Sequence, residues 1–139
     1  MARPYSTKED LVKVLPEETL HQLVNDEETG VEADLDARIT EAIAQADGEI
    51  EMYLGGRYSV PLVTTAGLRR CSCDIAIYHL YARYDETIPE TRETRYKDAV
   101  RILRDIRDGK MPLEGQTAPG SASDFGGLSF GVVVQPEDS

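Results

Sequence analysis

A chain of 139 residues, 40% hydrophobic and without tryptophan, has enough apolar mass for one modest core and not for two domains. No apolar run approaches the roughly 18 residues of a membrane span, and the opening MARPYSTKED has no apolar stretch behind Arg3, so neither a membrane segment nor a secretory leader is expected. The net charge of −11 is unevenly spread: residues 1–54 hold 14 acids and 4 bases, 55–113 hold 8 and 11, and 114–139 hold 4 and none. An acidic and a mildly basic half on one molecule suit head-to-tail association between copies. They suit an ordinary solvated surface equally well, so charge alone does not choose.

The helical period dominates the chain. Ser6, with Glu9 three residues on, predicts a capping box for a short helix carrying Leu11, Val14 and Leu15. Pro16 fits the first turn of a second helix, with Glu17 and Glu18 near its positive end and Leu20, Leu23 and Val24 facing inward. The DEETG run at 26–30 breaks it. From about Asp34 to Leu54, Leu35, Ile39, Ala42, Ile43, Ala46, Ile50, Tyr53 and Leu54 recur at gaps dominated by three and four, which predicts one long amphipathic helix. Gly55 and Gly56 supply its expected left-handed stop.

Another long helix is predicted from Thr65 to about Tyr84. Leu68, Cys71, Ile75, Tyr78 and Ala82 share a face, and Ala76, Ile77, Leu80 and Tyr81 fill much of the rest. A helix apolar nearly all round lies at the centre of a domain or is shared with another subunit. Pro89 ends any continuation. The last helix, from about Glu90 to Asp108, turns Tyr96, Ala99, Val100, Leu103 and Ile106 inward and Arg92, Arg95, Lys97, Arg101 and Arg104 mostly outward, with Gly109 as its cap. After Leu113 a polar linker, EGQTAPGSASD, leads to FGGLSFGVVV at 125–134. That strand-like segment reads as one that adds to a partner's sheet edge or fills its groove; the alternative is a hairpin folded back on its own domain.

Catalytic and metal chemistry find no foothold. Cys71 and Cys73 lie two apart on a helix, point apart, and with His21 and His79 lack the second cysteine pair of a zinc site. Reduced thiols of an intracellular protein are the simple expectation. Asp26, Glu28, Asp34 and Asp36 lack the spacing of a calcium loop, with Gly30 in fifth place and no glutamate in twelfth. Gly55-Gly56-Arg57 lacks the Lys-Ser/Thr of a phosphate loop, and neither histidine lies near a strained nucleophile turn.

The string AIAQADGEIEMYLGGRYSVPL at 42–62 resembles the signature of the small head–tail connector proteins of Mu-like phages and prophages, an adaptor or head-completion family. CDIAIYHLYARY at 73–84, RYKDAVRILRDIRDGKMPL at 95–113 and the opening YSTKEDL at 5–11 agree with it in order, so the resemblance covers most of Tyr5 to Leu113. It implies a structural virion protein, not an enzyme: a homo-oligomeric ring, usually a dodecamer, beneath the portal protein. Such a ring continues the DNA channel, with the genome passing through its lumen without specific binding, and docks a tail completion, terminator or stopper protein. The implied location is the virion neck, reached from the host cytoplasm, with no membrane and no cofactor. Arg57, Tyr58 and Pro61 match the family's loop after the long helix, and Arg95 and Tyr96 the start of the last helix.

The expected fold is therefore all-α: a bundle of four to five helices over residues 1–113, then a flexible linker and an extended tail at 114–139 able to form a strand or hairpin. Arg57, Tyr58, Arg95, Arg101 and Arg104 are the candidates for contacts between subunits. Phe125, Leu128, Phe130, Val132, Val133 and Val134 are the candidates for docking a partner. The competing functions are an acidic DNA mimic or phage regulator, which leaves the apolar tail unexplained, and a helix-turn-helix DNA binder built on Leu11 to Val24, where the charge has the wrong sign for phosphate.

Overall fold

The structure, a computed structural model, describes residues 4–25, 32–84 and 87–116. Among them the chain forms five helices and no strand: α1 (Lys8–Val12), α2 (Glu17–Val24), α3 (Glu32–Leu54), α4 (Ala66–Tyr84) and α5 (Glu90–Arg107). The all-α class and the helix count are as the sequence predicts.

The first helix starts one residue later than its apparent capping box. Thr7, not Ser6, accepts the Asp10 amide, and the Asp10 carboxylate accepts the Thr7 amide at 3.0 Å. Ser6 is buried, and its hydroxyl faces Ser72 at 2.6 Å, so it is unavailable as a cap. With α1 ending at Val12, Leu15 reaches the core from the following turn, while Val14 stays 40% exposed. Pro16 is the N-cap of α2 rather than part of its first turn.

Helices α3, α4 and α5 make most of the core, and Leu11 of α1 and Leu20, Leu23 and Val24 of α2 pack into the same cluster. Leu35, Ile39, Ala42, Ile43, Ala46, Ile50 and Leu54 form the buried stripe of α3. In α4 every residue from Cys71 to Ile77 is buried, and Leu80 with them, which makes it the central element. Ala82, expected on the inner face, is exposed in the last turn, beyond the buried stretch that ends at Leu80. Each fully buried leucine or isoleucine, such as Leu54 or Ile75, contributes about 1.5–3 kcal/mol by leaving water. Helix α5 runs alongside α3 in the same direction, since Glu49 meets Tyr96 and Tyr53 meets Arg107.

Two helix ends are built differently. At the end of α5, Gly109 takes φ +82°, its amide donates to Ile106 O at 3.1 Å, and the Lys110 amide donates to Asp105 O at 2.8 Å. This is the Schellman arrangement that a left-handed glycine permits. At the end of α3 neither Gly55 nor Gly56 is left-handed, contrary to the sequence expectation. The Gly55 amide instead continues the helical pattern to Glu51 O at 2.7 Å, and Tyr58 N bonds to Leu54 O at 2.9 Å. Gly55 is needed for room: a Cβ there would lie 2.7 Å from the Glu51 carbonyl oxygen.

Candidate functional site

The segment between α3 and α4 is the place where the sequence signature becomes a shape. After Tyr58 the chain passes through a cis Val60–Pro61 bond, buries Leu62, and enters α4 through Thr65, whose hydroxyl accepts the Leu68 amide at 3.1 Å. Three remote segments hold this junction. The Tyr5 hydroxyl accepts the Leu62 amide at 2.9 Å and donates to Glu51 Oε2 at 2.6 Å. The Gln116 side-chain amide grips Val63 from both sides, accepting its N–H at 2.8 Å and donating to its carbonyl at 2.7 Å. Arg57 lies against Gly109, where an added Cβ would sit 3.4 Å from its guanidinium. Val60, 47% exposed, and Val63, 57% exposed, are thereby presented on a fixed backbone.

Beneath the junction lies a polar network that helical periodicity does not reveal. Ser72 donates to Asp47 Oδ1 at 2.7 Å. Its one proton is thus used, and Ser6 must be the donor in the 2.6 Å contact between their hydroxyls. Asp47 Oδ2 accepts the Tyr5 amide at 3.0 Å. Burial raises the Asp47 carboxyl above its ordinary range, opposed by the bonds from Tyr5 and Ser72. Burial, followed by the bond to Glu51, also lifts the Tyr5 phenol well above its usual value. The available signal was three polar residues, Ser6, Asp47 and Ser72, beside otherwise apolar positions.

A second seam joins the three long helices. His79 Nε2 lies 2.6 Å from Glu49 Oε2, the Tyr96 hydroxyl donates to Glu49 Oε1 at 3.4 Å, and the rings of Tyr78 and Tyr96 stack at 3.9 Å. Burial, then the Glu49 carboxylate, raises the Tyr96 phenol. Tyr96 is half-buried rather than fully in the core. Met52, 84% exposed, stands at the edge of this seam.

The five candidates for subunit contacts do not form one patch. Arg57 is exposed and stacks over the half-buried Tyr58, 5.7 Å from its ring centroid. Arg95 is half-buried, and with Arg70 and Arg92 it counters the burial that raises Asp74. Arg101 pairs along its own helix with Asp98 and Asp105, each at 3.8 Å. Arg104 is exposed one turn from the end of α5. The parallel course of α3 and α5 nevertheless gathers Arg57, Arg104, Arg107 and Lys110 at one end of the bundle, while Glu17, Glu18 and Asp36 cluster near the start of α3. Phe125, Leu128, Phe130, Val132, Val133 and Val134 lie outside the described residues, as do Asp26 and Glu28.

The chemistry these groups offer is cohesive. Both cysteines are free and buried, and burial holds each thiol up at about 11, protonated at neutral pH and a poor nucleophile. Among the described residues no three of His, Cys, Asp and Glu are grouped to hold a metal ion, and no helix is long and apolar enough to cross a membrane.

Residues 5–130 match the family described as "Bacteriophage Mu, Gp36". The match runs 17 residues past Leu113, where the resemblance of the sequence blocks stopped, and takes in Phe125, Leu128 and Phe130. The chain is similar to the Mu-like prophage FluMu protein gp36 of Haemophilus influenzae, 34% identical over 111 residues that make up 78% of this chain and 74% of that one. It is also similar to gene product J of Escherichia phage Mu, 37% identical over 87 residues, 60% of this chain and 59% of the Mu protein. The chain therefore belongs to the bacteriophage Mu gp36 family and is a Mu-like phage protein.

Proposed function

We propose that this protein is a head–tail connector: a structural subunit that assembles as a ring between the portal and the tail of a tailed phage. In this reading the ring continues the DNA channel, its neighbours are a portal protein above and a tail completion protein below, and it carries out no catalysis. The resemblance of residues 42–62, 73–84 and 95–113 to connector proteins supports it. The structural observation that carries it is the junction at 55–65, on which Tyr5, Gly109 and Gln116 converge from remote parts of the chain, Gly109 against the junction's own Arg57, to fix the loop. A preorganised loop bearing exposed Val60 and Val63 reduces the ordering that docking would require.

The division of charge supports contacts between copies, with the bases gathered near Gly109 meeting the acids near the start of α3 on a neighbour. Phe125, Leu128, Phe130, Val132, Val133 and Val134 are the proposed contacts to a partner in the assembled neck. The lumen is proposed to be neutral or acidic, because each Lys or Arg contact to phosphate would add grip and impede sliding. A helix-turn-helix reading is disfavoured by Glu17 and Glu18 in the first turn of α2, the end that would approach phosphate. Incubating the purified protein with portal rings and imaging the product tests the proposal. A collar of this protein on the portal is expected, and a portal that stays bare would overturn it.

A further inference from the structure

We propose that the apolar segment 125–134 of this chain docks, in the unassembled subunit, into a groove on its own α3. The groove, about 660 Å³, lies between the arm at Pro4–Lys8 and the α3 face that carries Ile43, Ala44 and Gly48. That volume falls within the range of ligand-sized pockets, roughly 300–1,000 Å³. Its outer wall is fixed, because Tyr5 is bonded to Asp47, Glu51 and Leu62. Its floor is open: Ala44 and Gly48 are exposed, and a Cβ at Gly48 would meet nothing within 4 Å. Glycine disfavours a helix interior, and nothing described in the subunit presses on this one.

The occupant follows from where the described chain ends. Gln116 is held on Val63, and the preceding residue, Leu62, is bonded to Tyr5 in the groove wall. Residues 117–124 then provide eight residues of linker, enough to span at most about 26–29 Å. The next residues, FGGLSFGVVVQ at 125–135, carry no charge and match an apolar floor. A short flexible tether gives a site within its reach an effective concentration on the order of millimolar, which favours the chain's own segment over one arriving from another molecule. The inference goes beyond the connector reading and does not depend on it.

The chain has no tryptophan, so Phe130→Trp in the full-length protein places a single indole reporter in the segment. Docking predicts blue-shifted emission that resists acrylamide quenching and does not change on dilution. Adding Gly48→Leu, which fills the groove where space is free, should shift the emission to that of a solvated indole while circular dichroism stays unchanged. Ala44→Lys, exposed on the same floor, should do the same by charge. Solvated emission from Phe130→Trp alone would overturn the proposal. So would a blue shift lost on dilution, which would put the segment in a neighbour's groove, or one that survives both groove variants with the helices intact.

Discussion

The hydroxyl of Tyr5 and the carboxylate of Glu51, 46 residues apart, lie 2.6 Å from each other. The same hydroxyl accepts the Leu62 amide, so one side chain ties the N-terminal arm to the end of α3 and to the loop beyond it. Tyr5→Phe keeps the ring and leaves the buried Leu62 N–H without its acceptor. A loss of about 1–3 kcal/mol is expected, read as a lower urea midpoint with an unchanged denaturant slope.

The two glycines after α3 should respond in opposite ways. Gly55→Ala puts a methyl 2.7 Å from the Glu51 carbonyl and should destabilise by roughly 1–3 kcal/mol. At Gly56 a Cβ meets nothing within 4 Å and φ is not left-handed, so Gly56→Ala should be neutral or stabilise by about 0.4–1 kcal/mol. Thermal midpoints of the pair check this, and equal effects would show that the two positions are not distinguished by space.

The helices were legible in the sequence because their apolar residues recur every three or four positions, as Leu35 through Leu54 do in α3. Long-range pairings leave no such mark. That Ser6 belongs to Ser72, and so cannot cap α1, is set by a contact across 66 residues. Gln116 closing on Val63 likewise comes from a stretch whose composition reads as linker. At the stop of α3 a double glycine signals left-handed backbone, whereas in the structure Gly55 answers a close approach to Glu51. Of the proposed contact residues, the arginines were visible as charges, but their partners were not. Arg101 is engaged by Asp98 and Asp105 on its own helix, which a count of bases against acids does not reveal.

Asp47 gives the fold a pH signature. Its carboxyl is raised from the ordinary 3.8, so between that value and its higher folded value the native state holds the proton more tightly than the unfolded chain. The contribution of Asp47 to stability is therefore fully present below about 3.8 and declines as pH rises through the folded value. Asp47→Asn removes this dependence. The stability difference between the native protein and the variant should shrink as pH rises across that window and then stay constant, as measured by urea titrations at successive pH values.

Reversing Arg101 and Arg104 to Glu tests the contact between copies. The double variant loses the intrahelical partners of Asp98 and Asp105, at about 0.2–0.5 kcal/mol per pair, so circular dichroism should remain helical. Ring incorporation should fall, and the native ring should weaken as salt is raised, because exposed charges are screened over roughly 8–10 Å at ordinary ionic strength. Normal assembly of the variant would remove these residues from the interface.

The proposed ring on the portal is open to direct measurement. Light scattering after size-exclusion chromatography, on the protein alone and mixed with the portal and tail completion proteins of its phage, tests it most directly. The expected result is a complex whose added mass corresponds to a closed ring of this chain, a dodecamer if it follows the connector proteins it resembles. A chain that remains monomeric and elutes apart from both portal and tail proteins would contradict it, and would favour an acidic regulatory protein instead.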